Sequence, residues 1–424
     1  MSELLQQVRV LDPVSGTDQI ADVLIADGVI EAVREKISSL PENTSVRDCR
    51  GFVLGPGLVD LYSHSGEPGF EERETLASLM QAAAAGGFTR LAVLPDTTPP
   101  LDNPGGLAFL QSKISFPGRE WERAKSKIQF WGALTAGVEG QQMTELASLA
   151  AAGVVGFADG KPLGNLGLLR RLLEYLQPLG KPIAVCLSDR RLAGNGVMRE
   201  GANSIRLGLP GNPASSETSA LAALLEVVAL TTTPVHIMRV STARSVELIR
   251  EAKARGLPVT ASTTWMHLLL DTAAIGSYNT GLRLDPPLGN PTDREALVRG
   301  VREQVLDAIA IDHAPYTYEE KTVAFAEAPP GAIGLELALP LLWHDLVESG
   351  GWSALELWRS LSTQPALCLG QNPASITEGG QAELTLFDPQ ESWKVEQQTL
   401  RSLSTNTPWL GQHLAGRVVK TWVC

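Results

Sequence analysis

The chain has no apolar run long enough to span a bilayer, no CxxC pair among its four cysteines and no concentrated Lys/Arg stretch. Each absence excludes something. A membrane-spanning helix needs about 20 predominantly apolar residues, so none is expected and no membrane partner with it. Cys49, Cys186, Cys368 and Cys424 are widely scattered, which speaks against a disulfide framework and for a reducing compartment. The start, "MSELLQQVRVLDP", has neither a basic n-region nor an apolar h-region, and the expected location is cytoplasmic. A formal net charge of −12 leaves no basic footprint for nucleic acid or an anionic surface. There is also no fixed-period repeat and no low-complexity segment.

What is present is a globular composition, 44% hydrophobic and 19% charged over 424 residues, enough to bury a sizeable core. Residues 1–55 alternate in short apolar segments, with Asp27-Gly28 in the position of a hairpin turn. From about residue 56 the pattern changes. Apolar runs of five to eight residues alternate with helical periodicity at 58–64, 89–96, 128–135, 154–159, 182–189, 234–241, 258–265 and 307–314. Eight such strands with helices between them predict a (β/α)8 TIM barrel over 56–374. "AELTLFDP" and "GRVVKTWVC" are again strand-like, so 375–424 is expected to join 1–55 in a small β-sandwich module built from both chain ends.

Barrel chemistry sits at the C-terminal ends of the strands. Here those ends carry Tyr62, His64, Asp96, Asp159, Cys186, Ser188, Arg239, His267, Asp312 and His313, a polar set for apolar runs to finish in. Side chains two apart share a face of a strand, so an H-x-H at this place aims two imidazoles at one ion. In "GLVDLYSHSGEPGF" (57–70) the pair is Tyr62 and His64. A phenol with an ordinary pKa of about 10 is a poor ligand for zinc.

These residues carry a resemblance to dihydroorotases, cyclic amidases of the amidohydrolase superfamily. "VDLYSHSGEPGFEERETLASLMQAAAAGGFT" resembles the family's D-x-H-x-H-x-R-x-P-G and the helix after it. "VLPDTTPPLDN", "GFADGKP", "CLSDRRLAGNGVMREG", "HIMRVST", "LDPPLG", "AIDHAPYTYEEK" and "NTPWLGQHLAGRV" follow in the family's order. The resemblance implies a hydroxide generated on one or two zinc ions, with the last-strand aspartate, here Asp312, moving the proton. Carried over position by position, it also implies a degraded metal site. The first histidine is Tyr62, the second is kept as His64, the fourth-strand acid is Asp159, the fifth-strand histidine is Cys186 and the sixth-strand histidine is Arg239. The positions that bind the dihydroorotate carboxylate are Gly66, Asp96 and Tyr316, and the arginine of the N-P-P-L-R turn is Gly289.

A guanidinium stays protonated and has no lone pair to donate. Arg239 is therefore expected to replace an ion electrostatically, paired with Asp312 or another carboxylate. Two functions follow. One is a dihydroorotase-like pseudoenzyme of pyrimidine biosynthesis, structural or regulatory, with no cofactor. The resemblance gives it aspartate transcarbamoylase as a partner, and a homodimer as its assembly. The other is a working dihydroorotase or related cyclic amidohydrolase with one zinc held by His64 and Asp312 together with Asp159 or Cys186. At single residues the bland readings stand beside these: His64 as a satisfied histidine, Asp312-His313 as a brace, Cys186 as a small buried hydrophobe.

Overall fold

A computed structural model describes residues 2–115 and 126–423. Cys424 and most of the run 118–127, read from sequence as a solvated helix face, lie outside them. The eight apolar runs form eight parallel strands: Leu58–Ser63, Phe88–Val93, Lys127–Gly132, Gly156–Phe157, Ala184–Cys186, Val235–Met238, Val259–Thr264 and Ala308–Ala310. They make two four-stranded halves in chain order. A parallel bridge from Phe157 to Ile183 joins the fourth strand to the fifth. The eighth closes on the first through His64 N–H to the His313 carbonyl (2.8 Å). Buried Asp60 staples the same seam, accepting from Ile311 N–H at 2.8 Å and from Ser63 Oγ at 2.5 Å. The result is a TIM barrel.

Local chemistry sets the helices between the strands. Leu76–Ala85 opens on Thr75, whose hydroxyl accepts from Ser78 N–H, and stops at Gly86. Ala243–Ala254 opens on Thr242, which accepts from Ser245 N–H. Their apolar faces, with Leu79, Val246 and Ile249, join one continuous core around the barrel wall. Among the described residues no helix is long and apolar enough to cross a membrane.

Both ends of the chain build the β-module. A seven-stranded sheet combines Ser2–Asp12, Thr17–Ala26, Val29–Arg34, Ser45–Asp48 and Val53–Pro56 with Leu384–Lys394 and His413–Trp422. Leu54 pairs with Leu386, which is where the two ends meet. Asp27 (φ 48) and Gly28 (φ 80) close the hairpin between the second and third strands, both at positive φ as a type I′ turn requires. Module and barrel are joined by Arg90, whose Nε and Nη2 donate to Glu383 at 2.7 and 2.8 Å. The segment between the last two strands reaches the barrel mouth, where Trp409 stacks on Trp265 with ring centroids 5.1 Å apart.

Candidate functional site

The strand ends converge on a cavity of about 250 Å³ at the barrel mouth. His64 enters from the end of the first strand, Asp96 from the loop after the second, Cys186 from the end of the fifth, Arg239 after the sixth and Asp312 after the eighth, while Tyr62 is fully buried behind Arg239. Arg239 is the hub. Its Nε and Nη2 donate to Asp312 at 2.8 and 2.6 Å, a bidentate pair, and its Nη1 donates to the Gly160 carbonyl at 2.7 Å. The Cys186 sulfur lies 3.9 Å from the same Nη1. His64 stands between two acids: Nδ1 is 2.8 Å from Asp96 Oδ2, and Nε2 is 3.5 Å from Asp312 Oδ1 and 3.1 Å from Arg239 Nη2.

The charges form an alternating row, Asp96, His64, Asp312, Arg239. Burial alone would push His64 toward its neutral form, but Asp96 and Asp312 outweigh it and raise its pKa to about 9. Burial would likewise raise Asp312, yet Arg239 and His64 hold it well below the ordinary carboxylate range. Arg239 Nη2 can only donate, so at 3.1 Å it meets the lone pair of His64 Nε2 while Nδ1–H donates to Asp96. Arg239 and Asp312 are both non-glycine residues at positive φ, 53° and 54°. Such a conformation costs on the order of 1–3 kcal/mol and persists only where surrounding contacts over-determine it.

One of those contacts is Tyr62. Its fully buried phenol oxygen accepts from Arg239 N–H at 3.1 Å, so the phenolic hydrogen goes to its other partner, Ser262 Oγ, at 2.8 Å. Ser262 then donates to His236 Nε2 (2.8 Å), and His236 Nδ1–H donates to Thr260 Oγ1 (2.9 Å). Ser262 Oγ is the one acceptor among the partners of the Tyr62 hydroxyl, and every donor of the chain is satisfied when His236 is the neutral Nδ1–H tautomer. Burial agrees, lowering the His236 pKa to about 3.

The donor set does not suit zinc. A catalytic site needs three protein ligands with free lone pairs at about 2.0–2.3 Å from the ion. Here both Asp312 oxygens hold Arg239, His64 is engaged on one side by Asp96 and on the other by Arg239, and burial pushes the Cys186 thiol up to about 11 despite Arg239 beside it. Asp159, expected at the site, does not join it. Its carboxylate turns to the backbone after the third strand, accepting from Leu134 N–H (2.8 Å), Thr135 N–H (3.0 Å) and Thr135 Oγ1 (2.6 Å). Among the described residues no group of three or more His, Cys, Asp and Glu side chains is placed to hold a metal ion.

The carboxylate-binding positions are filled by the chain itself. A Cβ on Gly66 would fall 2.2 Å from the Phe70 carbonyl oxygen and 2.6 Å from that of Glu74, because the 66–74 loop folds back over it. A Cβ on Gly289 would fall 2.5 Å from Asp293 Cβ. Asp96 is engaged by His64, and the Tyr316 ring lies 4.9 Å from the Arg73 guanidinium and 5.1 Å from Lys321 Nζ.

Sequence reading missed Ser262, Thr260 and the role of His236. The available signal was alternation on the seventh strand, which puts 260, 262 and 264 on one face. His313, read as a possible brace, is one: buried, it sits 3.3 Å from Glu74 Oε2, and Gly334 N–H donates to its Nδ1 at 3.2 Å.

Residues 51–245 match the family model described as dihydro-orotase-like. A Synechocystis sp. protein described as dihydroorotase-like is 45% identical, covering 97% of this chain and 98% of its own length. A dihydroorotase of Pelobacter propionicus is 38% identical, covering 100% of this chain and 98% of its own. Among solved structures, the L-hydantoinase (dihydropyrimidinase) of Arthrobacter aurescens superposes with a TM-score of 0.84 at 21% identity, covering 100% and 96% of the two chains, a likeness of fold.

Proposed function

The chain belongs to the dihydroorotase-like family, and from that premise we propose that it is a member which has given up metal-dependent ring hydrolysis and serves a structural or regulatory role in pyrimidine biosynthesis. The observation that carries this reading is the bidentate Arg239–Asp312 pair. The aspartate expected to move the proton is instead the counter-ion of a fixed guanidinium, and a carboxylate held below its ordinary pKa is a weak base. The closed backbone over Gly66 supports it further, since a bidentate cation for a substrate carboxylate has no room there. The partner we propose, on the strength of the family resemblance, is aspartate transcarbamoylase, with the chain itself as a homodimer.

The rival reading is a hydrolase with one zinc, and full-length identity of 38% to a dihydroorotase favours it. It would require Arg239 to leave Asp312 and either Asp159 to leave Thr135 or the Cys186 thiol to ionise. Metal analysis of freshly purified protein together with a dihydroorotate hydrolysis assay separates the two. Absence of turnover and of stoichiometric zinc is expected. Stoichiometric zinc with turnover that disappears in Asp312→Ala would overturn the proposal. Co-purification tests the partner: a chain that ignores transcarbamoylase at micromolar concentrations counts against it.

A further inference from the structure

A second recess, open to the surface and more apolar in its lining than the mouth, lies at the opposite end of the barrel. Beneath the fifth, sixth and seventh strands is a cavity of about 490 Å³, walled by Leu176, Ile183, Val235 and Leu257 and reaching the surface beside Gly180 and Gly370. Small-molecule sites are typically about 300–1,000 Å³, mostly apolar, with a few placed polar groups. This one matches in size and in lining. Its polar floor is the end of the chain that begins at Arg239: His236 and Thr260 bond each other, and Cys368 stands beside Thr260. Thr233 Oγ1 donates to the Leu173 carbonyl at 3.1 Å. With those groups satisfied, none of them asks for a ligand's charge.

The rim does. Lys181 is the single charged residue among those lining the cavity, and no acid lines it. Its Nζ donates once, to the Val154 carbonyl at 3.0 Å, which leaves two of its three N–H groups to turn toward an occupant. Lys253 and Asp307, whose charges reach Cys368, are closed on each other at 2.7 Å. Apolar walls, a neutral floor and one cation at the entrance define a monoanion with an apolar body.

We propose that this bottom-face cavity is a binding site for a small apolar monocarboxylate, its body against the aliphatic walls and its carboxylate on Lys181. The bottom face of a barrel carries stability rather than chemistry, so the site binds without reacting. It is independent of whether the mouth is catalytic.

Benzoate and its uncharged isostere benzamide are the probes, titrated into the full-length protein by calorimetry. Benzoate is expected to bind at least about tenfold more tightly than benzamide, the factor that one charge-assisted hydrogen bond supplies. Lys181→Met, which keeps the aliphatic stem, is expected to erase that difference while leaving benzamide binding unchanged. Cys368 gives a second readout in the unmodified protein: benzoate is expected to slow its reaction with a thiol-specific disulfide reagent. Equal affinity for the two probes, undiminished benzoate binding in Lys181→Met, or an unprotected Cys368 at saturating benzoate would each overturn the proposal.

Discussion

Replacing Arg239 with methionine tests the site most directly, because the side chain keeps its stem and loses only the guanidinium. In the native protein that group is 6% exposed and Asp312 19%, so the pair is largely desolvated. The variant loses two bonds to Asp312 and one to the Gly160 carbonyl, leaving Asp312 facing His64 Nε2 at 3.5 Å. Removing one partner of a buried pair costs about 3–5 kcal/mol, more than the ion pair itself contributes, because a charge is left uncompensated. Urea unfolding at neutral pH of wild type, Arg239→Met, Asp312→Asn and the double variant measures it. Each single variant is expected to fall by about 3 kcal/mol or more, and the double by clearly less than their sum. Additivity within about 0.5 kcal/mol would refute the claim that these two residues replace an ion for one another.

Tyr62→Phe removes the acceptor for Arg239 N–H and the donor for Ser262, and is expected to cost about 1–3 kcal/mol in the same urea assay, whereas a cost near zero would disconnect the chain from the mouth. Tyr62→His alone is expected to bring neither stoichiometric zinc by elemental analysis nor dihydroorotate hydrolysis; zinc uptake would show that one histidine suffices. His64, raised from 6.5 to about 9, contributes stability that is complete below 6.5 and is lost as pH climbs through about 9. The difference in urea stability between pH of about 6 and about 10 should reach about 3 kcal/mol, at about 1.4 kcal/mol per unit, and flatten in His64→Asn. Gly66→Ala, whose Cβ would fall 2.2 Å from a backbone oxygen, is expected to lose about 1–3 kcal/mol as an overpacked position; a neutral result would mean that the 66–74 loop yields easily.

The barrel was legible because its signal is periodic. Eight apolar runs, each bounded by turn residues and helical patterns, map onto eight parallel strands, and Asp27-Gly28 marks its hairpin through backbone chemistry alone. Strand alternation likewise placed Tyr62 and His64 on the same inward face. What alternation cannot supply is which polar group meets which across the barrel. Asp159 stands at a strand end like Asp312, but its oxygens are captured by the two amides that follow the third strand, a local trap invisible in the spacing. His236 is an ordinary apolar-strand histidine in sequence, and only the fold brings Ser262 to its Nε2. Gly66 was readable as a lost arginine, whereas the closure of Phe70 and Glu74 over it depends on the path of the loop.

These contacts make the altered positions a single physical unit rather than separate losses. Tyr62 holds the amide of Arg239, whose left-handed backbone aims the guanidinium at Asp312, and Asp96 with Asp312 raises the pKa of His64. Each reversal taken alone is uphill. A histidine at 62 strands the Arg239 amide and Ser262; a histidine at 239 leaves Asp312 without its guanidinium; an arginine at 66 meets backbone where its Cβ must sit. The strand ends and the 66–74 loop are thus braced against one another, and a substitution at one of these positions is felt at the others.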